Sequence, residues 1–407
     1  MKSFKTTKIA CYIGFFTQAV IINLAPVLFV VFKGQFGFSY EELGRLILIN
    51  FAVQIATDVV SLKVLERVPL RIQLLTAHIL CFSGLVGMAV LPNILPPYAG
   101  LVCSVVLYSV GGGLIEVLLN PVVSHLPETN TKVEIPLLHS FYCWGHLLTC
   151  LLSTVYLYFS DNWRVLPILW SLVPLTATVM FAKAPLPEFE KGKERTPAGK
   201  LLTSKAFLTF MLVMVCSGAA EQAVAQWVSY FAEIGLQIPK IYGDVIGVCG
   251  FAFCMALCRM LYGIFGERFD IKKVLLYSSI LCIVSYALIC LVNSPVVSLI
   301  GCVLCGVSVA LMWPGTVAGA DEDFPHGGAV MFALLSVMGD VGCSAGPWIT
   351  GLISDAVEKN TSFFENLVFF DGMAPDQIAL KCGIFVIIIF PVTMALCLSH
   401  YIRNKYK

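Results

Sequence analysis

The sequence predicts an all-α integral membrane protein, with twelve transmembrane helices in two pseudo-symmetric six-helix bundles. Three observations carry this. The first is composition: 58% of the 407 residues are apolar and 13% are charged, with a mean hydropathy of +0.87. A soluble domain carries roughly 25% charged residues to cover its surface. The second is that the apolar residues fall in runs of about 20, the length that crosses a bilayer. The third is that Lys and Arg gather on alternate loops.

The runs follow in order. MKSFKTTKIACYIGFF is basic and then apolar, but the apolar run continues to Phe32, too long for a signal-peptide h-region. It is read as the first span, 8–33. Spans 2 to 6 are placed at 42–65, 70–92, 97–125, 135–159 and 163–182. The polar stretch APLPEFEKGKERTPAGK (184–200) then interrupts the pattern. Spans 7 to 12 are placed at 205–234, 241–265, 273–293, 296–318, 327–354 and 379–402. The expected organisation is therefore an N-terminal bundle (1–183), a linker (184–204) and a C-terminal bundle (205–407).

With the N-terminus in the cytoplasm, inside loops and termini hold 19 Lys and Arg residues, among them Arg67, Arg71, Arg268 and the linker lysines. Outside loops hold five: Lys33, Arg164, Lys240, Lys359 and Lys381. This asymmetry places both termini and the linker on the cytoplasmic side of the cell inner (plasma) membrane.

A weak repeat relates the halves. LKVLERVPLR (62–71) follows span 2 and YGIFGERFDIKK (262–273) follows span 8. Each places a Glu-Arg pair at the cytoplasmic end, Glu66-Arg67 and Glu267-Arg268, with a charge eight residues earlier, Asp58 and Arg259. Such repeats are the architecture of secondary transporters.

With the six-plus-six topology and basic linker, the two loop motifs resemble the major facilitator superfamily. Pro69 stands where that family has a second Gly, and Glu replaces its Asp in both copies. Within the superfamily, the resemblance is to fucose permease-like sugar porters. Gly113, Glu116, Asn120 and Pro121 match their fourth span, LLHSFYCWG (137–145) resembles the next, and Glu221 and Trp227 match the spacing in span 7. The resemblance implies a secondary active transporter that moves a small polar solute, a sugar, by alternating access as a proton symporter. It also implies that Glu66, Arg67, Arg71, Glu267 and Arg268 latch the cytoplasmic side. The permeases carry an acid in span 1; NLAPVLF (23–29) offers only Asn23, Ala25 and Pro26 there.

An ionisable residue in hydrocarbon is costly and normally faces protein or a water-filled cavity. GGGLIEVLLNP (111–121) places Glu116 in a run with no other charge between Arg71 and Glu128. Glu116 and Asn120 share a helix face, with Gly113 one turn before. The glycines admit a neighbouring helix, and Pro121 frees a backbone carbonyl nearby. A carboxyl group there can take up and release a proton. His139, Tyr142 and His146 share a face of span 5. Without a third ligand they suggest no metal, and His139 is expected to hydrogen-bond Glu116. Glu221 is the rival proton carrier.

Gln222, Gln226 and Tyr230 form an i, i+4 stripe beside Trp227. Amides, a phenol and an indole are what a polyol needs for hydroxyl pairing and ring stacking. Gln18, Asn23, Asn50 and Gln54 complete the N-terminal side, with Asn120 and Tyr142. Asp340, in GDVGCSAGPWITGLISD (339–355), is expected to hold a conformational contact in a charge network with Asp58 or Arg259.

The net charge of +1 excludes a basic nucleic-acid binder. The 16 cysteines are scattered through apolar stretches with no paired CxxC metal-ligand pattern. No GxxxxGK[ST], HExxH or GxSxG motif occurs, so a gradient drives the cycle, no cofactor is expected and the chain is not read as an enzyme. The lipid bilayer, a solute and a proton are the expected partners, with the chain a monomer. Export or uniport of an organic acid or drug, and a receptor that binds without translocating, stay open.

Overall fold

The computed structural model describes residues 4–64, 68–124, 126, 131–187, 198–265, 269–324, 328–361, 370 and 372–405, and among these every regular element is helical. In lipid, backbone N–H and C=O groups find no water, so a spanning segment must satisfy them internally, as a helix does.

The chain divides into two compact units, Met1–Gly37 with Ile49–Gly192 and Phe38–Leu48 with Lys193–Lys407. This differs from the expected division at Phe38–Leu48, which the sequence alone assigns to the N-terminal bundle. The reason is local: the first turn of the second long helix is hydrogen-bonded to Asp355 and Asp376.

The first unit contains α1 (Lys5–Val27), α2 (Phe29–Phe36), most of α3 (Tyr40–Val64), α4 (Leu70–Val90), α5 (Pro97–Ser124), α6 (Thr131–Phe159) and α7 (Val165–Lys183). Pro26 lies just before the α1–α2 break at Leu28. Arg71, expected at a cytoplasmic latch, donates to the carbonyl oxygens of Phe181, Ala182 and Ala184 at 2.6, 2.7 and 2.9 Å. It thus caps the C-terminus of α7, where the last carbonyls have no helical partner. Glu66, Arg67, Glu267 and Arg268 lie outside the described residues.

The second unit contains α8 (Ala198–Leu202), α9 (Lys205–Tyr230), α10 (Lys240–Tyr242), α11 (Cys249–Phe265), α12 (Ile271–Leu291), α13 (Pro295–Val309), α14 (Met312–Asp323), α15 (Gly328–Glu358), α16 (Pro375–Val386) and α17 (Ile389–Lys405). Ser204 caps α9 and Asp270 caps α12 through side-chain oxygens. π-Helical turns extend α9 through Phe231–Gly235 and join α10 to α11 through Gly243–Val248. α9 and α15 pack backbone to backbone. A Cβ on Gly342 would collide with the Val215 carbonyl oxygen of α9.

Among the described residues, ten helical segments are long and apolar enough to cross a membrane. Twelve were expected. The other two expected spans correspond to α6 and α15, of 29 and 31 residues. In α6 the apolar run is interrupted by His139, Tyr142 and His146.

Candidate functional site

Each unit holds a buried polar cluster that contains candidate residues. In the first, Asn50, Gln54 and Asp58 follow one another at i, i+4 and i+8 along α3, so they share a face. Gln18 of α1 donates its amide N–H to Gln54 Oε1 at 2.7 Å. Gln54 donates to Asn50 Oδ1 at 3.1 Å, and Ser109 of α5 donates to the same oxygen at 2.6 Å. These four buried side chains tie α1, α3 and α5 together. One acceptor is left over: Gln18 Oε1 has no hydrogen-bond partner among the described residues.

Below this chain α5 presses against α3 at Gly113. A Cβ there would stand 2.9 Å from Thr57 Cβ, 3.0 Å from the Gln54 carbonyl oxygen and 3.2 Å from Asp58 Oδ1. Only a residue without a side chain admits that approach. The approach sets the Asp58 carboxylate within electrostatic reach of Glu116, one turn further along α5. Asp58 is buried, and its Oδ1 has no hydrogen-bond partner among the described residues. Glu116 is half-buried. Among the described residues neither acid has an ion-pair partner.

His139 was expected on Glu116. Its Nε2 instead lies 3.1 Å from Asn120 Oδ1, and its ring meets Phe15 edge-on at 4.8 Å. Asn120 comes between because it occupies the next position on the same face of α5, and its own amide N–H lies 3.5 Å from the Glu116 carbonyl oxygen. Tyr142, one turn beyond His139, is half-buried. Asn23 turns its amide back onto the Ala19 carbonyl of its own helix at 2.9 Å.

The second cluster is built on α9. Glu221 forms an ion pair with Arg259 of α11, Oε2 to Nη2 3.4 Å. The guanidinium is held from the other side as well. Pro314 has no N–H, so the carbonyl of Ala310, four residues earlier, loses its helical partner. Arg259 Nε donates to that oxygen at 2.9 Å, at the break between α13 and α14. Asp58 thus lies beside Glu116, and Arg259 is on Glu221. Asp340 is buried on α15.

Gln226 donates to Gln222 Oε1 at 2.9 Å, and its own Oε1 has no partner among the described residues. Trp227 is fully buried and donates its indole N–H to the Pro347 carbonyl at 2.9 Å. Its ring contacts Tyr230 at 6.0 Å and Tyr40 at 6.2 Å. The indole thus packs in the unit's interior and presents no open face for a sugar ring. Sequence reasoning missed Tyr40 and Ser109. The signal for Ser109 was its spacing, at i−4 and i−7 from Gly113 and Glu116. For Tyr40 it was the capping box SYEE (39–42) at the start of α3.

Residues 137–347 match the Major Facilitator Superfamily. No curated protein matches the chain by sequence. Among solved structures, a bacterial homologue of the human lysosomal transporter Spinster, inward-facing and occupied, superposes with a TM-score of 0.76 at 13% identity, covering 98% of this chain and 96% of its own. The xylose transporter XylE from E. coli gives 0.75 at 12% identity, with 98% and 97% covered. The E. coli fucose:proton symporter FucP gives 0.59 at 16% identity, with 97% and 99% covered. At these identities the likeness is one of fold.

Proposed function

The chain belongs to the Major Facilitator Superfamily, and from that premise we propose that it moves a small, hydroxyl-rich solute by alternating access, coupled to a proton carried by Glu116. It is a multi-pass membrane transporter and not an enzyme; the solute, the proton and the inner-membrane orientation with cytoplasmic termini belong to the proposal. The observation that supports the choice of Glu116 is the contrast between the two acids. Glu221 is neutralised by Arg259. Glu116 has a carboxylate for a neighbour and no basic partner among the described residues. An acid so placed is neutral with its proton on and costly to keep in the membrane with it off. A cycle that loads the proton on one side and releases it on the other makes solute movement follow the proton gradient.

The sugar-like solute is supported by the unpartnered amide oxygens of Gln18 and Gln226. A buried acceptor without a donor is a cost that a hydroxyl can relieve. XylE and FucP, similar in fold, carry xylose and fucose by their names.

The test is transport in proteoliposomes with labelled xylose and fucose. Wild-type protein is expected to concentrate one of them when an inward proton gradient is imposed. Glu116→Gln should still exchange labelled for unlabelled sugar, because the amide keeps the shape of the protonated acid, but should not concentrate it. Accumulation that survives Glu116→Gln removes Glu116 from the coupling role, and its loss only in Glu221→Gln moves that role to α9. Failure of both sugars to bind or move overturns the sugar reading.

A further inference from the structure

The first unit holds a second acid that the reading above leaves without a task. Asp58 is only 9% exposed, yet its Oδ1 has no hydrogen-bond partner among the described residues. That oxygen points at α5, 3.2 Å from the place a Cβ would take on Gly113, and the carboxylate interacts electrostatically with Glu116. A carboxylate oxygen buried without a donor is a costly arrangement in a folded protein. The groups around it do not correct it. α1 offers Gln18, whose amide N–H is already given to Gln54. α3 offers Thr57, whose hydroxyl is given to the Val53 carbonyl. α5 offers Glu116 itself, and α6 brings His139, which is held on Asn120. The second unpartnered oxygen of the cluster, on 5% exposed Gln18, lies 2.9 Å from the Cβ position of Gly112, next along α5. Two acceptors without donors thus face adjacent glycines, Gln18 at Gly112 and Asp58 at Gly113.

A single proton resolves the carboxylate's share of this. Two ionised carboxylates side by side in a low-dielectric interior repel strongly, and one proton between them removes the repulsion and supplies the missing donor. When two acids interact this closely the proton belongs to the pair, not to either residue. We infer that Asp58 and Glu116 form a two-carboxylate coupling site that shares one proton, so that Asp58 of α3 takes part in coupling directly. This rests on the reading of Glu116 as the proton carrier. It also answers the missing span-1 acid, since a second acid reaches Glu116 from span 2. The step is balanced: a proton enters the pair from water on one side and leaves to water on the other, with no other reactant.

Two measurements test it. The first needs no solute. N,N′-dicyclohexylcarbodiimide reacts with protonated carboxyl groups in apolar surroundings, and peptide mass spectrometry locates the adduct. In wild-type protein the label is expected on Asp58 or on Glu116, with no chain carrying both. Chains labelled at both, or a label confined to Glu116, would overturn the shared proton. The second is proton-driven uptake of fucose or xylose in proteoliposomes. Asp58→Asn should exchange sugar normally while its accumulation falls to the level seen without a gradient, and Asp58→Glu should restore part of it. Full accumulation in Asp58→Asn would overturn the proposal. If Asp58→Asn does not fold, the labelling of wild-type protein decides. Accumulation that survives Glu116→Gln would refute the functional reading and leave the labelling result standing on its own.

Discussion

In the first unit the carboxylate of Glu116 faces another carboxylate; in the second, that of Glu221 faces a guanidinium. Both acids sit on long helices amid small residues, so the difference lies in what packing brings to them. Gly113 lets α3 close in and delivers Asp58. Pro314 breaks α13 from α14 and frees the Ala310 carbonyl, which fixes Arg259 where it can reach Glu221. An acid with a fixed cation is an element of structure, charged at both ends and costly to disturb. An acid with another acid is a place where the number of charges can change, which is what a coupled carrier needs.

The comparison breaks most visibly in stability. Arg259→Ala leaves Glu221 as an uncompensated buried charge and orphans the Ala310 carbonyl, and should cost about 3–5 kcal/mol. A large fall in the thermal unfolding midpoint in detergent is the expected reading, with partial recovery in the Arg259→Ala, Glu221→Gln double variant. Glu116→Gln, measured the same way, should stay within about 1 kcal/mol of wild type, because no ion pair is lost. A Glu116→Gln protein as unstable as Arg259→Ala would mean that Glu116, too, is a structural charge.

The next effect sharpens the origin of the difference. Gly113→Val places a branched side chain against Thr57, the Gln54 carbonyl and Asp58. Overpacking of this kind costs about 1–3 kcal/mol, and the relief available is for α5 to move away from α3. Proton-driven accumulation should therefore fall along with stability. Gly34→Ala, where an added Cβ meets nothing within 4 Å, is the control and should change neither. If Gly113→Val couples normally, close approach of the two helices is not what makes the pair.

How far this was legible in the sequence follows from the kind of constraint. The bilayer forces runs of about 20 apolar residues, so the helices could be read along the chain. A lone acid in GGGLIEVLLNP drew attention for the same reason. Pairings across the fold are another matter. Asp58 lies 58 residues before Glu116, and nothing in either segment says which face of α3 meets α5. Arg259 was legible as an intramembrane charge, but its partner depends on a carbonyl freed by a proline in another helix. His139 was placed one helical turn off, because Asn120 shares the face of Glu116 and intervenes. Trp227 looked like a sugar-stacking platform by spacing, yet its N–H is committed to Pro347, a contact set by how closely α9 and α15 approach.

The smallest effect concerns another buried carboxylate, Asp355, whose charge is offset in a different way. The first turn of α3 has backbone N–H groups with no helical acceptor. Ser39 and Glu42 satisfy part of this turn reciprocally, the Glu42 N–H donating to Ser39 Oγ at 3.1 Å and the Ser39 N–H to Glu42 Oε2 at 2.9 Å. Asp355 of α15 takes the rest, accepting from the N–H groups of Tyr40 at 2.8 Å and Glu41 at 3.1 Å. Here backbone dipoles, not a side-chain cation, offset the charge. Asp355→Asn keeps one acceptor but loses the other and the charge, and should cost about 1–2 kcal/mol, in the range of a lost helix cap. That is less than Arg259→Ala, because backbone N–H groups left behind are dipoles and not full charges. Thermal unfolding of Asp355→Asn beside Arg259→Ala measures the order directly. If Asp355→Asn proved the more damaging, the docking of the α3 N-terminus would be a stronger tie than the buried ion pair, and the ranking of the three carboxylates by partner charge would fail.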